Sequence, residues 1–231
     1  MIRRWSLAAV VVALAGLLLA PGSWQVIAEQ GGGGVIGNVR LTVSSSTPSA
    51  ATAYERRTVG PRPKPLPEIR NVIVFVSDLP PSKPAPMKAS ISQKDEQFVP
   101  HVVAVTTGSS VAFPNDDPFF HNVFSLSRGG SFNLGRYPSG ASRSETFGKP
   151  GIVKVFCEIH SQMSAVIRVF DHSWFTIPVD DGSFTLPDVP AGEHTLVAWH
   201  ERIGERREKV TIRPGATVQV SFTLPVLEST R

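Results

Sequence analysis

The sequence predicts an all-β protein, and three observations carry that prediction. Nineteen Gly and twenty Pro accompany many Val, Thr and Phe, a mixture that favours short strands and turns over helices. Short apolar or alternating runs recur along the chain, separated by clusters of Gly, Pro, Asn and Asp. The Asp181-Gly182 step sits between two such runs, a hairpin signal. With 41% hydrophobic and 18% charged residues, the chain can bury a core and is too apolar for wholesale disorder.

The first segment reads as targeting rather than fold. Met1-Ile2-Arg3-Arg4 is a positive n-region and residues 7–20 are an uncharged apolar stretch, short for a membrane span and suited to a secretory signal. Val26-Ile27-Ala28 offers a cleavage site, so residues 1–28 are expected to be a signal peptide, an uncleaved anchor being the alternative. No other membrane span is expected. The protein is accordingly placed in the periplasm or outside the cell.

After a glycine spacer at 30–34, residues 35–43 have strand character, with Val39, Leu41 and Val43 at alternate positions. Residues 44–70 form a Pro-rich loop, carrying Pro48, Pro61, Pro63, Pro65 and Pro67 and tending to polyproline II. The continuous run at 71–77 predicts a strand buried on both faces, ended by Asp78-Leu79-Pro80-Pro81.

From Met87 the rhythm becomes that of a small antiparallel sandwich. Strands are expected at 88–92, 97–106, 110–114, 121–126, 131–134, 142–146, 151–157 and 165–170. Turn signals such as Asn115-Asp116-Asp117-Pro118, Arg128-Gly129-Gly130 and Lys149-Pro150-Gly151 separate most of them. A third block predicts strands at 175–177, 183–186, 193–199, 209–212 and 217–223, thin for a free-standing domain.

The net charge of +4 is concentrated in two clusters: Arg56, Arg57, Arg62 and Lys64, then Arg202, Arg206, Arg207 and Lys209. Neither forms a basic stripe within a recognisable nucleic-acid module, so no nucleic-acid partner is expected. Cys157 is the single cysteine. In an oxidising compartment an unpaired thiol is a liability unless something occupies it.

The sequence around it is Val155-Phe156-Cys157-Glu158-Ile159-His160-Ser161-Gln162-Met163. A thiolate, an imidazole and a thioether on one short loop suit copper, and a second histidine would complete a trigonal site with a weak axial Met. His121, which follows a polar turn and two phenylalanines, is the strongest candidate for that histidine. Zinc is the competing metal, although Met is a poor partner for it. A Cys157–His160 nucleophilic dyad is the enzymatic alternative, and it lacks an evident orienting residue. His101, His172, His194 and His200 share no ligand spacing and read as surface or strand-face residues.

His121-Asn122-Val123, followed by Cys157-x-x-His160-x-x-Met163, resembles the cupredoxin family of type 1 blue copper proteins over residues 86–170. The short ligand loop is most similar to that of amicyanin, with plastocyanin in the same family. The resemblance implies a Greek-key β-sandwich with His121, Cys157, His160 and Met163 as ligands of one copper ion. It implies that Asn122 ties the two ligand loops together, and that Phe119, Phe120 and Ile159 form a candidate docking patch around the edge of His160. A dinuclear copper centre needs two cysteines. In multicopper oxidases and copper nitrite reductases a ligating His adjoins the Cys, whereas Phe156 and Glu158 flank Cys157 here.

Val179-Asp180-Asp181-Gly182-Ser183-Phe184, then Val189-Pro190-Ala191-Gly192-Glu193-His194, resembles a transthyretin-like carboxypeptidase regulatory domain. That family opens with a Gly-x-Val strand, which Gly37-Asn38-Val39 supplies far upstream. A second, Ig-like sandwich made of 31–80 and 171–226 is therefore expected, split by the domain at 86–170. Together these readings imply an exported electron carrier rather than an enzyme, its partner a redox protein such as a c-type cytochrome or a periplasmic dehydrogenase. The alternative is a secreted protein that binds copper for storage, sensing or structure.

Overall fold

The computed structural model describes residues 31–42 and 68–225. The expected signal peptide at 1–28 and residues 44–67 of the Pro-rich loop lie outside the described residues. No helix among the described residues is long and apolar enough to cross a membrane.

The described residues are nearly all β, as the composition predicts. Its strands are β1 (Gly33–Leu41), β2 (Val72–Val76), β3 (Lys88–Ser90), β4 (Ser92–Lys94), β5 (Gln97–Val99) and β6 (Val102–Thr106). Then come β7 (Ser109–Pro114), β8 (His121–Ser127), β9 (Gly130–Tyr137), β10 (Ser142–Phe147), β11 (Gly151–Phe156) and β12 (Ser164–Phe170). The last are β13 (Phe175–Thr176), β14 (Ser183–Val189), β15 (Gly192–His200), β16 (Gly204–Ile212) and β17 (Thr217–Leu224). A 3-10 turn at Glu68–Asn71 leads into β2.

These strands build four main sheets, ordered β14-β1-β17, β13-β2-β15-β16, β6-β12-β11-β8-β9 and β10-β7-β3, with β4-β5 as a separate hairpin. Both early strands pair with strands that follow Asp171. β1 runs antiparallel to β14 and parallel to β17, while β2 lies antiparallel to β15 and β13. Gly37 is required in β1 because a Cβ there would run into the Val220 carbonyl and the Phe184 ring.

Three apolar cores join the sheets in series. One lies between β14-β1-β17 and the β2 sheet, with Val35, Val39, Phe184 and Phe222 meeting Val72, Val74, Val76 and Leu196. Another lies between the five-stranded sheet and β10-β7-β3, with Val111 and Phe113 meeting Val153, Val155 and Ile167. The third joins the two sandwiches: Ile73, Phe75, Val197 and Trp199 pack on Val102, Ala104, Val166 and Phe170. Each fully buried side chain of this size contributes about 1.5–3 kcal/mol. Arg168 lies within this junction, its guanidinium 4.3 Å from the Phe75 ring centroid and 5.0 Å from that of Trp199.

The position of β2 between two cores accounts for its sequence. All five of its residues are buried, as its unbroken apolar run predicts. Elsewhere the expected boundaries need correction. The strand expected at 97–106 is two, β5 and β6, divided at Pro100, which has no N–H for a ladder. The one expected at 88–92 divides into β3 and β4 around the buried Ile91. The β4–β5 hairpin turns on Asp95 and Glu96, both at positive φ (53° and 55°), without the glycine that usually marks such a turn. β16 begins at Gly204 rather than 209, paired along its whole length with β15, and its first half leaves no mark in the sequence because Glu205, Arg206, Arg207, Glu208 and Lys209 are all exposed and show no apolar alternation.

Glu68 anchors the 3-10 turn to the end of β15. Its Oε1 accepts a hydrogen bond of 2.8 Å from His200 Nε2 and another from Arg202. The His200 bond, opposed by burial and helped by Arg202, holds the carboxyl down to about 2. A group depressed in this way contributes stability above its unfolded value near 4.5, and that stability is lost as pH falls toward 2. Denaturation measured between pH 5 and 2 is therefore expected to show a shallower acid limb in Glu68→Gln than in the native protein.

Candidate metal centre

The site is assembled from two strand ends and one tight turn. His121 opens β8, Cys157 follows the last residue of β11, and Met163 precedes the first residue of β12. The stretch before His121 is shaped by Asn115, which is buried. Its Oδ1 accepts from Asp117 N (3.1 Å), and its Nδ2 donates to the carbonyls of Phe119 (2.8 Å) and Tyr137 (3.2 Å). The polar residues read as a turn are thus an internal frame that presents His121.

Asp117 is buried at the centre of that frame. Its carboxylate accepts from Asp95 N (2.6 Å), Glu96 N (3.0 Å) and His121 Nε2 (2.7 Å). A carboxylate can only accept, so His121 carries its proton on Nε2 and turns Nδ1 inward. Nδ1 lies 3.8 Å from Cys157 Sγ and 3.1 Å from His160 Nδ1. The ligand atoms of His121, Cys157 and His160 all lie within 4.8 Å of one another.

Burial alone would push the Cys157 thiol up. Its contact with His121 and hydrogen bonds from the backbone N–H groups of Asn122, His160 and Ile159 reverse this and bring it down to about 6. The thiolate is the form that binds metal. For His121, burial favours the neutral ring, but Cys157 and Asp117 together outweigh it and raise its proton affinity. A cation seated among these atoms would take the proton's place.

Met163 N donates to the His160 carbonyl at 2.9 Å, which closes the ligand turn, and the Met163 side chain is buried in the same core cluster as Cys157. Asn122 links the turn to the sheet: its Oδ1 accepts from Glu158 N (3.3 Å) and its Nδ2 donates to Asn133 Oδ1 (2.9 Å). Phe119 lies edge-on to His121 and beside His160, with ring centroids 5.2 and 5.4 Å away. Phe120 is 56% exposed and Ile159 39% exposed, while His160 is half-buried and Cys157, Met163 and His121 are buried.

The structure thus brings His121, Cys157 and His160 into one cluster and seats Met163 in the adjoining core. The remaining histidines have other partners. His200 is a strand-face residue at the end of β15, buried against Glu68, whereas His172, expected at the surface or on a strand face, is buried just beyond the end of β12. Sequence reasoning missed Asp117 and Asn115, which were visible only as turn formers. A carboxylate four residues before a candidate ligand histidine was the available signal.

No protein-family model matches the chain. None of the curated proteins matches it. Among solved structures it is similar to a copper-containing nitrite reductase from Thermus scotoductus, at 26% identity and a TM-score of 0.36, over 38% of this chain. It spans only 24% of that protein's length. It is also similar to a purple cupredoxin from Nitrosopumilus maritimus, at 22% identity and a TM-score of 0.33, over 36% of this chain and 99% of that one. A reduced mutant form of amicyanin matches at 18% identity and a TM-score of 0.33, over 35% of this chain and 80% of that one. The functional reading therefore rests on the site's own geometry.

Asp117 orients His121 and fixes its tautomer, and groups that support a metal ligand in this way typically contribute about 10–100-fold in metal affinity. Asp117→Asn offers one acceptor oxygen to three donors. It is expected to weaken metal binding, measured by titration calorimetry, by about that factor while the circular dichroism of the fold is retained.

Proposed function

We propose that this chain is an exported carrier of single electrons that holds one type 1 copper ion between His121, Cys157, His160 and Met163. The observation that carries the reading is the convergence, in a largely buried cluster, of one thiol with a depressed pKa and two imidazoles within 4.8 Å. The donor set fits the metal: thiolate and imidazole nitrogens with a neighbouring thioether suit copper better than zinc. Bound there, copper would supply reversible exchange between Cu(II) and Cu(I).

The chain's own residues do the rest. Asp117 and Asn115 hold His121 in place before any metal arrives, and Asn122 with the Met163–His160 bond holds the ligand turn. Pre-set ligands suit electron transfer because little needs to move when the charge changes. His121, Cys157 and Met163 are buried, so His160 is the ligand nearest solvent, next to Ile159 in the chain and beside the Phe119 ring. In this reading Phe119, Phe120 and Ile159 form the docking patch for a redox protein of the same compartment, a c-type cytochrome or a dehydrogenase. The chain passes electrons on and is not itself an enzyme. Residues 86–170 are the copper domain, and 31–80 with 171–226 form a second, split domain, a division supported by the pairing of β1 and β2 with later strands. Export is supported by residues 1–28.

Adding Cu(II) to the purified protein is expected to give an intense blue thiolate-to-copper band that bleaches reversibly with reductant. Cys157→Ala should abolish it, and Met163→Leu should retain it with a raised reduction potential. A colourless or irreversibly oxidised complex would turn the reading toward copper storage or a structural ion.

A further inference from the structure

The loop that ends at Met163 is also tied from the other sandwich. Ser164, the residue after Met163, opens β12, and its carbonyl faces His101 Nδ1 at 2.9 Å. The other ring nitrogen of His101, Nε2, faces Glu201 Oε2 at 2.9 Å. Glu201 lies in the turn between β15 and β16, strands of the second sandwich. His101 is held in turn by its own backbone, whose carbonyl accepts from Val166 N at 2.8 Å.

A backbone carbonyl can only accept, and so can an ionised carboxylate. Both ring nitrogens of His101 therefore face acceptors, and both bonds can exist together only when both nitrogens carry hydrogen. A neutral ring would set a lone pair against one of the two oxygens, and that contact would open. We propose that His101 is a positioning residue for Met163: as an imidazolium it clamps the start of the Met163 strand to Glu201 of the second sandwich, and loss of its proton releases one of the two bonds.

The charges around the ring favour the clamped form. Glu201 supports the proton directly and Glu68 does so from further away, which raises the proton affinity of His101 against the opposing effect of burial. Lys154 of β11 lies 3.7 Å from the second oxygen of Glu201, and His200 and Arg202 bind Glu68 behind it. Glu201 stays ionised through this range, its pKa lowered first by the His101 bond. His101 is thus the group in this cluster whose proton loss would open the clamp.

The clamp itself does not depend on a metal, but its effect on reduction potential rests on the copper reading above. A cation near a copper ion favours the reduced, less positive state, so deprotonating His101 should lower the potential. Stability follows with a definite sign. A histidine whose folded pKa is raised contributes stability that is complete below its unfolded value near 6.5 and is lost as pH rises through the folded value.

The test uses the full chain without metal, labelled at the methionine methyls, with the Met163 methyl resonance followed by NMR as pH rises. The native protein should show a step in that resonance that is missing in His101→Gln and displaced to lower pH in Glu201→Gln. Steps shared by all three proteins belong to the ligands themselves. Thermal unfolding of the same proteins should show a decline in Tm on the alkaline side that His101→Gln lacks. If the Met163 titration is the same in all three proteins, the clamp is refuted, whether or not copper binds. In copper-loaded protein the potential should fall across the same step, and fall at lower pH in Glu201→Gln. A potential that ignores both substitutions would overturn the link to the metal, whereas failure to form any blue complex would sink the copper reading and leave the metal-free result standing.

Discussion

The hydrogen bond between His121 Nε2 and the buried Asp117 carboxylate determines which way the imidazole faces, and the rest of the site follows from that direction. With Nε2 engaged, Nδ1 is the nitrogen that meets Cys157 and His160. Asp117 can be buried there because two backbone N–H groups of the β4–β5 turn and His121 satisfy its carboxylate. The left-handed conformations of Asp95 and Glu96 that aim those N–H groups are in turn held by the same carboxylate. A short, glycine-free hairpin and His121 therefore stabilise one another through a single side chain.

The layering of the sheets imposes a comparable constraint on a larger scale. The β2 sheet has no solvent face over its central strands: one side meets the β1 sheet and the other meets β6 and β12. That explains why Ile73 and Phe75 are as apolar as Val72, Val74 and Val76, and why the two sandwiches share an apolar contact. Arg168 fits this contact by lying across aromatic rings that reach it from both sides, Phe75 and Trp199 from one and Phe170 from the other.

Most of what could be read in the sequence was local. The candidate ligand turn was legible because Cys157, His160 and Met163 are near neighbours, and their chemistry narrows which metal would suit them before any fold is known. β2 was legible because burial on both faces leaves an unbroken apolar run. The β4–β5 hairpin escaped notice because nothing in Asp95-Glu96 marks a left-handed turn, and the early start of β16 escaped because an exposed strand carries no alternation. The roles of Asp117, His101 and His200 depend on partners brought together by the fold. Glu201 is 100 residues from His101, and Glu68 is 132 residues from His200. No spacing rule reaches that far.

The exposed start of β16 affects how the molecule behaves in a crowd. It lies at the edge of its sheet among the described residues, and an unpaired edge is a template on which another chain can add a strand. Here five consecutive charged side chains, Glu205 to Lys209, stand along it in mixed sign. An incoming strand would have to strip water from each of them and match their order. The same run that conceals the strand from sequence reading thus protects the protein from edge-to-edge aggregation.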